Sequence, residues 1–121
     1  MSAKELRYSN NIANNLFFVK QLDSLCLDRR YMGYYMLIDI LHVMINEGKV
    51  ITSFSKQLYP YVAKKYDKTE CTVERNIRSL IEKNWTVELM IKLNLMLPNG
   101  KKPKCQDFIY AVKNYIVKQI F

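Results

Sequence analysis

The chain has few residues that break helices and few that build disulfide or metal frameworks. Its 121 residues include 3 glycines, 3 prolines, 3 cysteines and 1 histidine. Cys26, Cys71 and Cys105 are widely spaced and form no CxxC pair, which excludes a disulfide framework and a zinc-finger pattern. His42 has no Cys or Ser partner in a catalytic pattern, so we interpret it as structural. We therefore expect no enzyme, no metal and no cofactor.

Long apolar runs are also absent from the sequence. No stretch approaches the roughly 20 apolar residues that a membrane-spanning helix needs. The N-terminal segment MSAKELRYSNNIANN lacks the apolar core of a signal peptide. We therefore expect a reduced, cytoplasmic location without membrane association, and we expect the first ten residues to be frayed.

Negative charge is scarce. The chain has 19 Lys and Arg residues against 11 Asp and Glu residues, a formal net charge of +8. A basic balance of this size favours contact with phosphate, on nucleic acid or on an anionic membrane surface. Many small housekeeping proteins are also basic, so charge alone does not establish DNA binding. Half of the residues are hydrophobic, which is typical of a globular chain and not of a disordered one.

Apolar residues recur at three- and four-residue steps along most of the chain and predict an all-α fold. A chain of this length is expected to form a single domain over residues 1–121. The sequence predicts six helices: one after the SNN segment, one around Tyr34–Ile45, one at about 53–66, one at about 70–85, a short one at Val87–Leu95 and a last one at Cys105–Gln119.

The third and fourth predicted helices are joined by a tight polar turn and have the outline of a helix-turn-helix. Thr52 or Ser53 is the expected N-cap of the third helix, and Thr69 that of the fourth. Pro60 lies inside the third helix, where its missing N–H donor predicts a kink. Many helical bundles contain such a pair, so the outline by itself is a weak signal.

The fourth predicted helix has an apolar side and a polar side. When Val73, Ile77 and Leu80 point inward, the remaining face is polar. That face and its flanks consist of Thr72, Glu74, Arg75, Arg78, Ser79 and Glu82. An arginine can donate two hydrogen bonds to guanine O6 and N7, and a glutamate can accept one from cytosine N4. This helix is therefore a candidate for reading DNA bases.

The same residues have an ordinary alternative interpretation. Glu74 and Arg78 are four positions apart and have the spacing of a surface ion pair, which contributes about 0.2–0.5 kcal/mol. Phosphate repels a carboxylate, however, so a glutamate on a DNA-facing surface needs a base-reading reason to be there. The pattern alone leaves both interpretations open.

Candidate phosphate anchors surround this helix in the sequence. Ser53, Ser55 and Lys56 begin the third helix, where backbone N–H groups and the helix dipole favour an anion. Lys68 lies in the turn, and Lys102 lies in the basic loop LPNGKKPK. Their grouping around one candidate reading helix favours nucleic acid as the phosphate-bearing partner.

The segment LYPYVAKKYDKTECTVERNIRSLIEKNW resembles the C-terminal DNA-binding effector domain of the sporulation stage-zero response regulator, the master sporulation transcription factor of Firmicutes. The residues that carry the resemblance are Leu58-Tyr59-Pro60, Ala63-Lys64-Lys65-Tyr66, Val73-Glu74-Arg75 and Ile77-Arg78. The likeness covers roughly residues 16 to 117. The spacing of these three groups is specific enough to make a chance match improbable.

The resemblance implies a six-helix effector domain whose recognition helix enters the major groove of a TGTCGAA-like box. It implies double-stranded DNA as the partner, on the nucleoid, with copies bound head to tail on tandem boxes. Base-reading positions carried over from the family motif are Glu74, Arg75 and Arg78. Phosphate-contacting positions carried over are Ser53, Ser55 and Lys56. Lys102 matches the family's loop lysine near the flank of the helix and is a possible DNA contact.

Three positions depart from the family pattern. Cys71 stands where the family has Ser, Thr72 where it has Arg, and Ser79 where it usually has His, so Thr72 and Ser79 are only possible DNA contacts. Residues 1–30 do not resemble the family's receiver domain, which leaves an isolated fragment or a stand-alone protein. A second hypothesis is therefore an effector-like module that pairs with a full-length regulator and binds DNA weakly or without specificity.

Overall fold

A computed structural model of the protein describes residues 15–120 and contains no strand in that range. The helices in chain order are α1 (residues 15–24), α2 (Met32–Leu41), α3 (Phe54–Gln57), α4 (Tyr59–Tyr66), α5 (Glu70–Asn84), α6 (Val87–Leu93) and α7 (Cys105–Ile120). Because α3 and α4 are two pieces of one interrupted scaffold helix, the predicted all-α fold of six helices is confirmed. The expected fraying of the first ten residues lies outside the described residues.

The helices pack around one hydrophobic core. Side chains from five helices are fully buried in it, among them Phe18, Tyr34, Val62, Ile77 and Phe108. Eight of the ten residues of α2 are buried, so α2 is the central helix against which the others are placed. Over residues 15–120, every helix is too short or too polar to cross a membrane.

The predicted scaffold helix is interrupted close to its proline. Between α3 and α4, Leu58 has φ −107° and ψ −52°. Pro60 lies in the first turn of α4, where a missing N–H leaves no backbone partner unsatisfied. The Leu58 amide donates to the Phe54 carbonyl and the Val62 amide to the Leu58 carbonyl, both at 3.1 Å, so the two pieces continue one another. The kink predicted from Pro60 is therefore a local break two residues before it.

A glycine allows α5 to lie directly on α2. A Cβ atom at Gly33 would be 2.3 Å from the Asn76 carbonyl oxygen and 3.2 Å from the Leu80 Cβ atom. Carbon and oxygen atoms that are not bonded do not approach to 2.3 Å, so only glycine fits here without moving α5. The position of the candidate reading helix is therefore set in part by α2.

The single histidine lies where α2 continues into a π-helical turn, His42–Asn46. The His42 ring is hydrogen-bonded to the side chains of Asn15 and Asn46, through its two nitrogens. This pairing suits a neutral ring with its proton on Nε2, donating to the Asn15 oxygen. The ring also packs edge-on against Phe18, with 4.9 Å between centroids. Burial lowers the pKa of His42, and these contacts agree with a structural role.

The lowered pKa of His42 predicts a loss of stability in mild acid. The unfolded chain binds the proton more readily than the folded protein, so the free energy of unfolding should fall as pH drops below about 6.5. The chain has 1 histidine, so His42→Gln should remove most of this dependence between pH 5 and pH 7. Urea unfolding at several pH values measures it. The same pH dependence in both proteins would show that another group is responsible.

Candidate nucleic-acid interface

Local hydrogen bonds build the turn before α5. α4 ends at Tyr66, and its C-cap residue Asp67 adopts the left-handed conformation with φ 54°. The Lys68 amide donates back to the Ala63 carbonyl at 2.9 Å. Thr69 is the N-cap of α5, because its Oγ1 accepts from the Thr72 amide at 3.2 Å, as the sequence predicted. The two threonine hydroxyls are 2.8 Å apart, so the Thr72 hydroxyl is engaged in the cap.

α5 has the two sides that its sequence predicted. The buried residues are Val73, Ile77, Leu80 and Ile81. Arg75 and Arg78 are exposed, whereas Glu74 and Ser79 are half-buried. Over residues 15–120, the Arg75 guanidinium makes no ion pair. Its donors are therefore available to a ligand from outside the chain.

The sequence predicted that the helix extends to about residue 85. In the structure Trp85 lies just beyond the end of α5. The helix ends at Asn84, and Trp85 has an extended backbone with φ −74° and ψ 113°. Its half-buried ring packs edge-on against Phe108, with 6.3 Å between ring centroids. Trp85 therefore joins the end of α5 to α7. This packing against the core indicates a structural role for Trp85.

Glu74 and Arg78 form an ion pair along α5. Their side chains remain 45% and 55% exposed, so the pair stabilises the fold by only about 0.3–0.5 kcal/mol. A guanidinium has five N–H donors, and one carboxylate does not use all of them. The ion pair is thus compatible both with a solubilising role and with base reading.

Glu74 and Arg78 line a groove of about 610 Å³. Its walls come from the start of the scaffold helix, from α5 and from the basic loop before α7. Its polar lining includes Ser53, Ser55, Glu74, Arg78, Lys102 and Lys104. Three sets of residues that the sequence singled out separately therefore lie around one groove. Arg75, Thr72, Ser79, Lys56 and Lys68 lie outside its lining.

Two buried residues, Tyr59 and Cys105, also line the groove. The Cys105 thiol donates weakly to the Glu74 carbonyl, with 3.7 Å between sulfur and oxygen. Burial raises the pKa of the Cys105 thiol and that of the Tyr59 phenol. Both groups are neutral near pH 7, so the charge of the groove comes from the ionised side chains around it.

The basic loop lies across the second half of α5. Lys102 Nζ donates to the Glu82 carbonyl at 3.4 Å, a long hydrogen bond that leaves the ammonium group mostly solvated. The loop begins with a short 3-10 turn, Pro98–Gly100. Lys101 and Lys104 are exposed on the same loop. The loop thus brings the ammonium groups of Lys102 and Lys104 near the charged side of α5.

The start of the scaffold helix is organised by Gln57. Its Oε1 accepts from the Thr52 amide at 2.7 Å and from the Ser53 amide at 2.9 Å. Ser53 is the N-cap residue, but its hydroxyl lies 3.3 Å from the Ser55 hydroxyl and caps no backbone amide. Because α3 has only four residues, its dipole adds little. The phosphate-anchor prediction thus depends on the two hydroxyls and on exposed Lys56.

The lysines near the turn fall into two groups. Lys65 Nζ is 2.6 Å from Asp39 Oδ1 and is engaged on the α2 side. Lys64 and Lys68 are exposed and line a shallow groove with Cys71 at the start of α5. Lys68, a predicted phosphate anchor, therefore lies beside the N-terminal end of the candidate reading helix.

Gly33, Asp39 and Cys105 contribute to the position or the lining of this surface and were not predicted from the sequence as site residues. Asp39 carried a usable signal, since it is a lone charge in an otherwise apolar helix. Gly33 carried a weaker one, because an isolated glycine in a helix often marks close packing. Cys105 carried none, since only the packing of α7 against α5 brings it to the groove.

The family model described as Sporulation initiation factor Spo0A C terminal matches residues 18–116 of the chain. The matched region contains the scaffold helix, the turn, α5 and the basic loop. It covers most of the sequence and extends into α7.

Proposed function

Because the chain belongs to the family of Spo0A C-terminal domains, which are DNA-binding sporulation regulators, we propose that it is a sequence-specific transcription regulator that reads a TGTCGAA-like box. The observation that carries this proposal is the exposed Arg75 guanidinium on the capped helix α5, which forms no ion pair within residues 15–120. Arg75 lies in the first half of α5, the part that enters the major groove in helix-turn-helix proteins.

Base reading is assigned to three side chains. Arg75 and Arg78 each have the paired donors that match guanine O6 and N7, and Glu74 has the acceptor that matches cytosine N4. The ion pair between Glu74 and Arg78 holds these two groups together in the free protein. They would then contact neighbouring bases as a unit, while Arg75 reads a separate base.

Phosphate contacts are assigned to the side chains that flank α5. Lys68 lies at its N-terminal end, and Lys102 lies near its second half. Ser53, Ser55 and Lys56 lie at the start of the scaffold helix. Such contacts contribute affinity and fix the orientation of the protein, but they carry no sequence information directly.

Residues 1–121 act in this proposal as one domain on double-stranded DNA, on the nucleoid. Two copies bind head to tail on tandem boxes, as the resemblance of the sequence implies. Each copy would place its own α5 in the major groove.

A second candidate function is supported by two positions on α5. The Thr72 hydroxyl is committed to the helix cap, and Ser79 is half-buried, so both offer little to DNA. A chain that has lost these contacts could act by pairing with a full-length regulator, with weak or unspecific DNA binding of its own.

A fluorescence-anisotropy titration tests the proposed function. The protein is titrated into a duplex carrying tandem TGTCGAA-like boxes and into a scrambled duplex, at two salt concentrations. We expect the wild type to prefer the box by at least about tenfold, since one bidentate base contact is worth about 1–3 kcal/mol of discrimination. Arg75→Ala should remove most of this preference.

Two variants act as controls for charge. Lys118→Ala removes one positive charge about 20 Å along α7 from the groove and should leave the preference unchanged. Lys68→Ala should weaken binding to both duplexes alike and reduce the salt dependence, as loss of a phosphate contact does. Equal binding of both duplexes by the wild type would refute box reading and favour the pairing module.

A further inference from the structure

Asp39 is the charged residue that is buried among residues 15–120, with 9% of its surface exposed. A carboxylate in such a position is unfavourable unless it is paired and hydrogen-bonded. Both of its oxygens have a partner: Lys65 Nζ lies 2.6 Å from Oδ1, and Tyr66 Oη lies 2.6 Å from Oδ2. Asp39 therefore holds two neighbouring side chains at once.

The two partners are the last two residues of α4. Asp67 follows them directly, in the left-handed conformation that ends the helix and begins the turn to α5. The contact with Asp39 thus fixes the chain at the point where the scaffold helix passes into the helix-turn-helix turn. Burial of Tyr66 and its hydrogen bond to Asp39 raise the pKa of the phenol, so it remains a donor.

Asp39 lies on the same helix as the glycine that contacts α5. Gly33 and Asp39 are six residues apart, about 9 Å along α2. Through Gly33, α2 meets the backbone of α5 at Asn76, and through Asp39 it holds the end of α4. One rigid helix therefore contacts both members of the helix-turn-helix.

We propose that Asp39 is a positioning residue for DNA reading: it clamps Lys65 and Tyr66 to α2 and so sets the placement of the turn and of the N-terminal end of α5. The proposal rests on the proposed function for its effect on DNA, and on the fold alone for its effect on the turn. It also commits the Lys65 ammonium group to Asp39, so Lys65 is not a phosphate contact.

The first test uses hydrogen exchange in the protein without DNA. Asp39→Asn keeps the shape of the side chain but removes its charge. We expect faster amide exchange at residues 66–73 than in the wild type. The control Leu93→Ala removes a buried side chain from α6 and should not raise exchange selectively at the turn. If Asp39→Asn and the wild type show the same amide exchange at the turn, Asp39 does not clamp Lys65 and Tyr66 to α2. This conclusion holds whether or not the protein binds DNA.

The second test is the ratio of affinities for the box and the scrambled duplex. Partial unfolding lowers the active fraction for both duplexes equally, so a merely destabilising substitution leaves this ratio unchanged. We expect Asp39→Asn to lower the ratio by about tenfold, the scale of one bidentate base contact, and Leu93→Ala to leave it at the wild-type value. Lys65→Met and Tyr66→Phe should each reproduce part of the loss.

Combining Asp39→Asn with Lys65→Met should add little to the loss seen in Asp39→Asn alone, because the contact that Lys65→Met removes is already lost there. An Asp39→Asn ratio equal to that of the wild type would overturn the positioning role. If the wild type shows no preference for the box, the proposed function is refuted. Amide exchange at the turn would then be the only test of whether Asp39 holds Lys65 and Tyr66 in place.

Discussion

Gly33→Ala is expected to destabilise the protein by about 2 kcal/mol, within the range typical of overpacked cores. Alanine favours a helix over glycine by about 1 kcal/mol, which acts in the opposite direction. The clash prevails because the new Cβ atom would be 2.3 Å from the Asn76 carbonyl oxygen, a backbone atom that moves only if α5 moves. Urea unfolding followed by the fluorescence of the single Trp measures the change.

Met32→Ala is the matched control, since Met32 is the neighbouring residue and is partly exposed. It should change the free energy of unfolding by no more than about 0.5 kcal/mol. Because Gly33→Ala displaces α5 from α2, it should also lower the preference for the box. A Gly33→Ala protein as stable as the wild type would show that α5 can shift at no cost.

Arg78→Ala is expected to lower affinity for the box by about 5- to 150-fold, the equivalent of about 1–3 kcal/mol for one base contact. Its effect on the free energy of unfolding should be below about 0.5 kcal/mol, because the ion pair with Glu74 is largely exposed. Anisotropy titrations and urea unfolding on the same preparations separate the two effects.

Glu74 completes this experiment as the other half of a double-mutant cycle. If Glu74 and Arg78 contact bases as a unit, the loss from the Glu74→Gln and Arg78→Ala double variant should be smaller than the sum of the single losses. Arg78→Lys keeps the charge but loses the planar pair of donors. Wild-type affinity and preference in Arg78→Lys would show that Arg78 contacts phosphate and not a base.

Much of the helical architecture was predictable because its signals are local. Apolar spacing placed Val73, Ile77 and Leu80 on the buried side of α5, and a single hydroxyl at Thr69 marked where that helix begins. Pro60 signalled an interruption of the scaffold helix, but the break is at Leu58. A proline restricts the backbone of the turn that precedes it. Which residue of that turn departs from helical geometry depends on how α3 and α4 pack.

The surface of the site was predictable only in part. The charged side of α5 followed from the spacing of its residues, but the ion pair of Glu74 with Arg78 does not follow from spacing alone, since both ions could also face solvent separately. The prediction that the dipole of the scaffold helix helps to anchor phosphate is weakened by its short first piece.

The sequence by itself determined the helix periods, the cap at Thr69 and the charged side of α5, because each depends on residues within four positions of one another. The tertiary structure alone decided the groove between Ser53, Arg78 and Lys102, the contact of Gly33 with α5 and the pairing of Asp39 with Lys65. These contacts join residues that are 24 to 49 positions apart in the chain. Local patterns cannot specify such contacts, since they depend on how whole helices pack against α2.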